Sequence, residues 1–208
     1  RVLFRSLAVG GYFSEPSRIT EMANPKRPSP FLADGSLSPT FTGRGKSPLC
    51  VHVDLGLKRD ACGIAGAYQD GHRIVLAFVK RILPADHGGE IDFAEVRQFI
   101  LDLRDKHGWR LACVSYDGWQ SVESRQLLEK AGVVTRELSV DRTTAPYDTF
   151  KELLLTGQLD YYADPVLVAE LTRLELVKGR KVDHPPGGSK DIADAAVGAV
   201  YNLCELLA

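Results

Sequence analysis

Apolar residues run almost unbroken from Leu49 to Leu55 before Gly56 and again from Ala61 to Tyr68, and Arg73 to Leu83 alternates apolar with polar positions. Runs of this length bounded by turn residues read as strands. Gln69-Asp70-Gly71-His72, between the second and third, has the composition of a hairpin turn. Three consecutive strands joined by tight turns predict an antiparallel meander. The spacing then changes: Phe93, Val96, Ile100 and Leu103 recur at helical intervals, with Asp92 and Glu95 early and Lys106, His107 and Gly108 late, the charge order that a helix dipole favours. Leu111 to Tyr116 predicts a short core strand, 119–131 a helix stopped by Gly132, and 133–140 a further strand. Pro146 to Thr156 predicts a helix stopped by Gly157, and Asp164-Pro165 opens another that carries Leu167, Leu171 and Leu174 on one face. The last stretch, KVDHPPGGSKDIADAAVGAVY (181–201), is a proline-glycine turn followed by a helix. Its Ala193, Ala195, Ala196, Gly198 and Ala199 let the backbone lie close against a sheet. Strands and helices mixed in this way place the chain in the α/β class.

Residues 14–48 break the pattern, with Pro16, Pro25, Pro28, Pro30, Pro39 and Pro48 set among Ser, Gly and Asn. This is the composition of a linker. Within it, Gly43-Arg44-Gly45-Lys46-Ser47 imitates a phosphate-binding loop, but Thr40 stands where that motif needs its first glycine, no strand precedes it, and Pro48 opposes a helix start.

Composition changes this picture only a little. A chain of 208 residues, 44% hydrophobic and 25% charged, suffices for one globular domain. A formal net charge of -1 gives no overall attraction to a polyanion, so any such partner must be held by a local basic patch or by metal ions. Cys50, Cys62, Cys113 and Cys204 lie far apart in apolar settings, which argues against a disulfide framework or a zinc site and for a reducing compartment. No apolar run reaches the roughly 18 residues of a membrane span. The chain is expected in the cytoplasm. It opens on Arg1 and has a single methionine, Met22, so it reads as a piece of something longer, in which residues 1–12 need not be native.

Five carboxylates stand out against the strands and the last helix. Asp54 sits in the apolar run 49–56, where an ionised group needs a cation or several donors. Two readings are open: Asp54 closes the strand as a turn residue, or it faces a metal. Asp117-Gly118 repeats the arrangement after the strand 111–116, and an α/β sheet places its chemistry at such strand ends. Asp191 and Asp194, three apart, share one face at the start of the last helix, where they also suit the helix dipole. Asp60, at the start of the second strand, is either a turn residue or an auxiliary ligand. Together these form a candidate metal-binding carboxylate cluster. Around it, Lys190, Lys178, Arg180, Lys181, Lys58 and Arg59 are candidate phosphate contacts, with Lys190 the best placed, or else solvated surface charges. His184, in the loop before the helix, is a possible accessory. His52 reads as a hydrogen-bonded core histidine, and Tyr116 and Trp119 as packing.

A meander with Asp on its first strand, an acidic residue on a later strand and a closing helix led by Asp-x-x-Asp resembles the ribonuclease H-like nuclease superfamily. The segments HVDLGLKRDACGIAGAY, VSYDGWQSVESRQLLEKAG and VDHPPGGSKDIADAAVGAVY, in that order, resemble the C-terminal nuclease domain of the large terminase subunit of tailed bacteriophages, over residues 49–208. The resemblance implies a mixed sheet, the three-strand meander plus parallel strands, flanked by helices. It makes residues 1–48 a proline-rich linker or the remnant of an upstream ATPase motor domain. It implies Asp54, Asp117 and Asp191 as metal-binding catalytic residues, with Asp194 and Asp60 as auxiliaries. Hard oxygen ligands suit Mg²⁺ or Mn²⁺, two ions about 4 Å apart hydrolysing a phosphodiester. The implied partners are double-stranded DNA, the motor domain, the small terminase subunit and the portal. The implied activity is cutting of concatemeric viral DNA in the bacterial host cytoplasm, with no nucleotide site in this part. Two rivals stand beside it: a Holliday-junction-resolvase-like nuclease, and a non-catalytic module docking on DNA or a portal.

Overall fold

The computed structural model of the chain describes residues 10–56, 61–118 and 121–208. Strand β1 (Leu49–Asp54) lies inside a sheet, antiparallel to β2 (Cys62–Asp70), which is antiparallel to β3 (Arg73–Ile82). On its other side β1 runs parallel to β4 (Leu111–Tyr116), and β4 parallel to β5 (Thr135–Glu137). A two-residue strand, β6 (Leu159–Asp160), adds parallel to β3, giving the order β5-β4-β1-β2-β3-β6. This is the expected mixed sheet.

Period-two alternation divides the strands between two cores. Val51, Val53, Ile64, Val114 and Tyr116 pack with α2 (Phe93–Asp105) and α3 (Val122–Lys130), through Val96, Ile100, Leu103 and Leu128. Cys50, Ala65, Ala67 and Cys113 face the other way, to α4 (Ala145–Leu155), α5 (Pro165–Arg173) and α6 (Asp191–Leu207). Helix α6 is buried almost all round from Ile192 to Val200, because it is packed between the sheet and helices α4 and α5. Its small residues permit this. A Cβ at Gly198 would lie 2.2 Å from Cδ2 of His52 in β1, so the helix backbone rests on the histidine ring itself. His52 is fully buried, and its Nδ1 meets Ser115 Oγ at 2.7 Å. Burial lowers its pKa to about 3. It is the core histidine that the sequence predicts.

The strand predicted over 133–140 pairs only at Thr135–Glu137, an edge where Val134 stays exposed. Among the elements that were not predicted are α1 (Ser17–Glu21) and an antiparallel hairpin of β7 (Glu175–Val177) with β8 (Lys181–Asp183) just ahead of α6. The proline-rich stretch is irregular as expected, yet it is not detached. Prolines deny it a hydrogen-bonded ladder, but the apolar residues near and among them still seek cover. Tyr12, Phe13 and Ile19 are buried against the α4–α5 side, and Phe31 and Phe41 pack on the opposite core. Arg27 clamps Asp160 of β6 through two bonds of 3.0 and 2.7 Å. The phosphate-loop imitation is a turn seated on Trp109, with the Gly43 N–H donating to the His107 carbonyl at 2.9 Å. No helix among the described residues is long and apolar enough to cross a membrane.

Candidate metal-binding site

Alternation along β1 puts Cys50, His52 and Asp54 on the α6 side, and along β4 it puts Cys113, Ser115 and then Asp117 on the same side. Asp54 is the last residue of β1, paired with Gly63 of β2, and so belongs to the strand rather than to a turn. The pairing matters because Gly63 has no side chain. A Cβ there would stand 2.0 Å from the carbonyl oxygen of Asp191. The first residue of α6 is therefore seated on the strand position beside Asp54. Replacing Gly63 with alanine should cost about 1–3 kcal/mol of overpacking, read as a Tm lower by roughly 2–12 °C in metal-free buffer. An unchanged Tm would mean that α6 is not held at this point.

The carboxylates sense one another. Burial, and then the charges of Asp194 and Asp191, push the Asp54 pKa up to about 8; Asp117 adds a smaller push and Lys190 an opposing pull. Burial also raises Asp117, assisted by Asp141 and opposed by a 3.3 Å bond from Ser139. Asp194 is raised to about 6 by burial, against the pull of Lys190 and a hydrogen bond from Tyr147. Carboxylates from β1, the end of β4 and the start of α6 thus share one neighbourhood.

Among the described residues, two cations already serve it. Lys190 is buried, and its ammonium bonds to Asp194 and, at 2.7 Å, to Asp141. Arg81 of β3, opposite Gly63 in the register, approaches Asp191 at 3.9 Å. Lys190 thus lies inside the cluster and not on its rim, because an i,i+4 partner and the Asp141 loop both draw it inward. Asp194 accepts from Lys190 on one oxygen and from the buried hydroxyl of Tyr147 in α4 on the other. Among the described residues no three carboxylate, histidine or cysteine side chains already surround one point as an ion requires. The donor set itself fits a hard divalent cation: carboxylates alone, mutually repelling and desolvated.

Of the other candidates, Lys178 and Arg180 are exposed at the turn of the β7–β8 hairpin, Lys178 with φ 52°. Lys181 is half committed, 2.9 Å from Asp183 and 3.3 Å from Asp141. His184 turns its Nδ1 to the Pro185 carbonyl at 2.9 Å and lines a cavity of about 240 Å³ with Glu170, Arg173 and Ser189. Tyr116 is buried packing. Asp60, Lys58, Arg59 and Trp119 lie outside the described residues. The sequence reading passed over Asp141, Arg81, Tyr147 and Glu170. Asp141 alone carried a signal, since it follows the predicted strand 133–140 as Asp117 follows 111–116.

No family model and no curated protein matches the chain. Solved structures do. The large terminase nuclease of thermophilic phage G20c is 16% identical, with a TM-score of 0.66, the match covering 88% of this chain and 95% of that one. The same nuclease with bound magnesium matches at a TM-score of 0.65 and 16% identity over 88% of this chain and 94% of that one; it has also been solved with bound cobalt. The large terminase of a second thermophilic bacteriophage is 11% identical at a TM-score of 0.65, covering 89% of this chain but 45% of its own, so this chain spans less than half of that protein. The fold is that of these large terminase nuclease domains.

Proposed function

We propose that this chain is the nuclease domain of a phage large terminase, a metal-dependent endonuclease that cuts concatemeric double-stranded DNA during genome packaging. The observation that carries the reading is the gathering of acidic residues at the Asp54 strand end: Asp191, the first residue of α6, is seated on Gly63, the register partner of Asp54, and the largely buried Asp54 carboxyl feels the charges of Asp194, Asp191 and Asp117. A structural turn residue has no use for three like charges from distant parts of the chain; a divalent-cation site requires them. The shared fold with terminase nucleases, one of them solved with magnesium and with cobalt, supports it.

In this reading Asp54, Asp117 and Asp191 hold Mg²⁺ or Mn²⁺, two ions as the family resemblance implies. Ions bound there supply Lewis-acid stabilisation of the phosphodiester and a lowered pKa for the attacking water. The chain does the rest. Asp194 fixes Lys190 and is fixed by Tyr147, so the first turn of α6 keeps its shape as charge enters and leaves. Lys190 holds some of the negative charge in check before cations bind. Arg81, Lys178 and Arg180 offer positive charge on the accessible side, where the backbone phosphates of DNA would pass. A motor domain, the small terminase subunit and the portal are the partners this role implies, and the bacterial host cytoplasm its place.

The test is incubation with supercoiled plasmid and Mg²⁺ or Mn²⁺, against a chelator control. Cleavage should be nearly indifferent to sequence, since nothing in the site reads base edges. With two or three phosphate contacts at a slope near -0.9 each, cutting at limiting DNA should fall roughly 10- to 50-fold between about 50 and 200 mM salt. Chelator-resistant cutting, or none with either metal, would overturn the proposal; discrete reproducible bands would point to a resolvase-like nuclease instead.

A further inference from the structure

Helix α6 starts without a cap of its own. Lys190 occupies the N-cap position but makes no side-chain capping bond, its ammonium being committed to Asp194 and Asp141. The first amides of any α-helix have no acceptor within the helix, and Ile192 and Ala193 are buried away from water. Their acceptor comes from another helix. Glu170 of α5 takes the N–H of Ile192 at 2.9 Å and of Ala193 at 2.8 Å on Oε2, and the Ser189 hydroxyl at 2.7 Å on Oε1.

The placement is costly unless it serves something. Glu170 is 5% exposed, beside the fully buried Leu167 and Leu171 on the packed side of α5, where an ionised carboxylate needs all its bonds. It has them, from amides at the positive end of a helix. Helix α5 is in turn fixed at its own start, where the Asp164 side chain accepts from Val166 and Leu167 at 3.0 Å each.

We propose that Glu170 is a positioning residue for Asp191, and hence for metal binding. This rests on the nuclease reading above. Asp191 is the residue between Ser189-Lys190 and Ile192-Ala193, so Glu170 grips the chain on both sides of it. On the sheet side its carbonyl abuts the bare backbone of Gly63. Between these two constraints the start of α6 has little freedom, and the Asp191 carboxylate is directed to the Asp54 side. Glu170 touches no reacting atom; it acts through the backbone that carries one.

Reach, not charge, is the property to test. Glu170→Gln keeps an acceptor at the same distance and should leave Mn²⁺ affinity, followed by electron paramagnetic resonance, within about threefold of the parent. Glu170→Asp keeps the charge but falls a methylene short, and Glu170→Ala loses both; each should weaken Mn²⁺ binding by about 10- to 100-fold, the usual cost of removing a supporting residue at a metal site. All are measured on the 208-residue chain well below its Tm, so that a general loss of stability does not enter. If Glu170→Ala does not fold, Glu170→Asp carries the test. Parent-like Mn²⁺ affinity in Glu170→Asp would overturn the inference, as would a Glu170→Gln as weak as Glu170→Asp, since charge would then be what counts. A parent protein that neither binds Mn²⁺ nor cuts DNA is a different result, and removes the nuclease reading itself.

Discussion

Asp54→Asn will lower metal-dependent cleavage by more than about 100-fold, beyond what loss of a merely supporting residue at a metal site costs, and will at the same time make the metal-free protein more stable. The two effects have one cause. Asp54 is largely desolvated with a pKa pushed up to about 8, so near neutral pH the fold either keeps it protonated or carries an unfavourable charge among Asp194, Asp191 and Asp117. Asparagine keeps the volume and removes the charge. The gain is on the order of a few kcal/mol at pH 8, since each pKa unit corresponds to about 1.4 kcal/mol. Thermal unfolding in chelator, beside plasmid cleavage in Mn²⁺, reads both. A variant that cuts at nearly the parental rate would return Asp54 to a purely structural role.

Metal uptake will depend on pH. A divalent cation must displace the proton of Asp54, so Mn²⁺ affinity should rise with pH by up to about tenfold per unit between roughly pH 5 and 8 and level off above, with about one proton released per binding event on the acid side. Stability without metal should run the other way. The native carboxyl holds its proton up to about pH 8 while the unfolded one loses it from 3.8 upward. Between those values the native state binds more protons, so stability falls as pH rises. Asp54→Asn should flatten both curves. Affinity that stays constant across the window would exclude Asp54 as a ligand.

The meander, the central parallel strand and the helices were legible because each is long enough to show its period: Val51, Val53, Ile64 and Val114 alternate, and Phe93 to Leu103 keeps helical spacing. Three-residue strands such as Glu175–Val177 and Lys181–Asp183 are too short for any period, and only Lys178-Gly179 between them marked a turn. At the site, Asp54 and Asp117 were visible by contrast, as carboxylates at the ends of apolar runs, and Asp191 by its spacing from Asp194 at a helix start. Their holders were not. Arg81 reads as an ordinary charged position on an alternating strand, and Tyr147 and Glu170 as ordinary members of amphipathic helices. What singles them out is the residue across the interface, and that is a property of packing. Lys190 was legible as a cation beside the cluster, but its bond to Asp141, 49 positions away, was not.

The lead-in before β1 also decides how the protein should be prepared. Tyr12 lies edge-on to Tyr147 at 5.9 Å and donates to Asp148 at 2.7 Å, its N–H bonds to the Leu174 carbonyl, and Gly11 bridges to Glu175. These contacts brace the helix that offers Tyr147 to Asp194 and the end of the helix that offers Glu170 to α6. A recombinant version trimmed to begin at residue 49, cut back on the view that everything earlier is tether, would remove Tyr12, Phe13 and Ile19 from the core cluster that Phe150, Leu154 and Leu171 belong to. It would invite clumping in storage, and a silent assay from such a sample would say nothing about Asp54, Asp117 and Asp191.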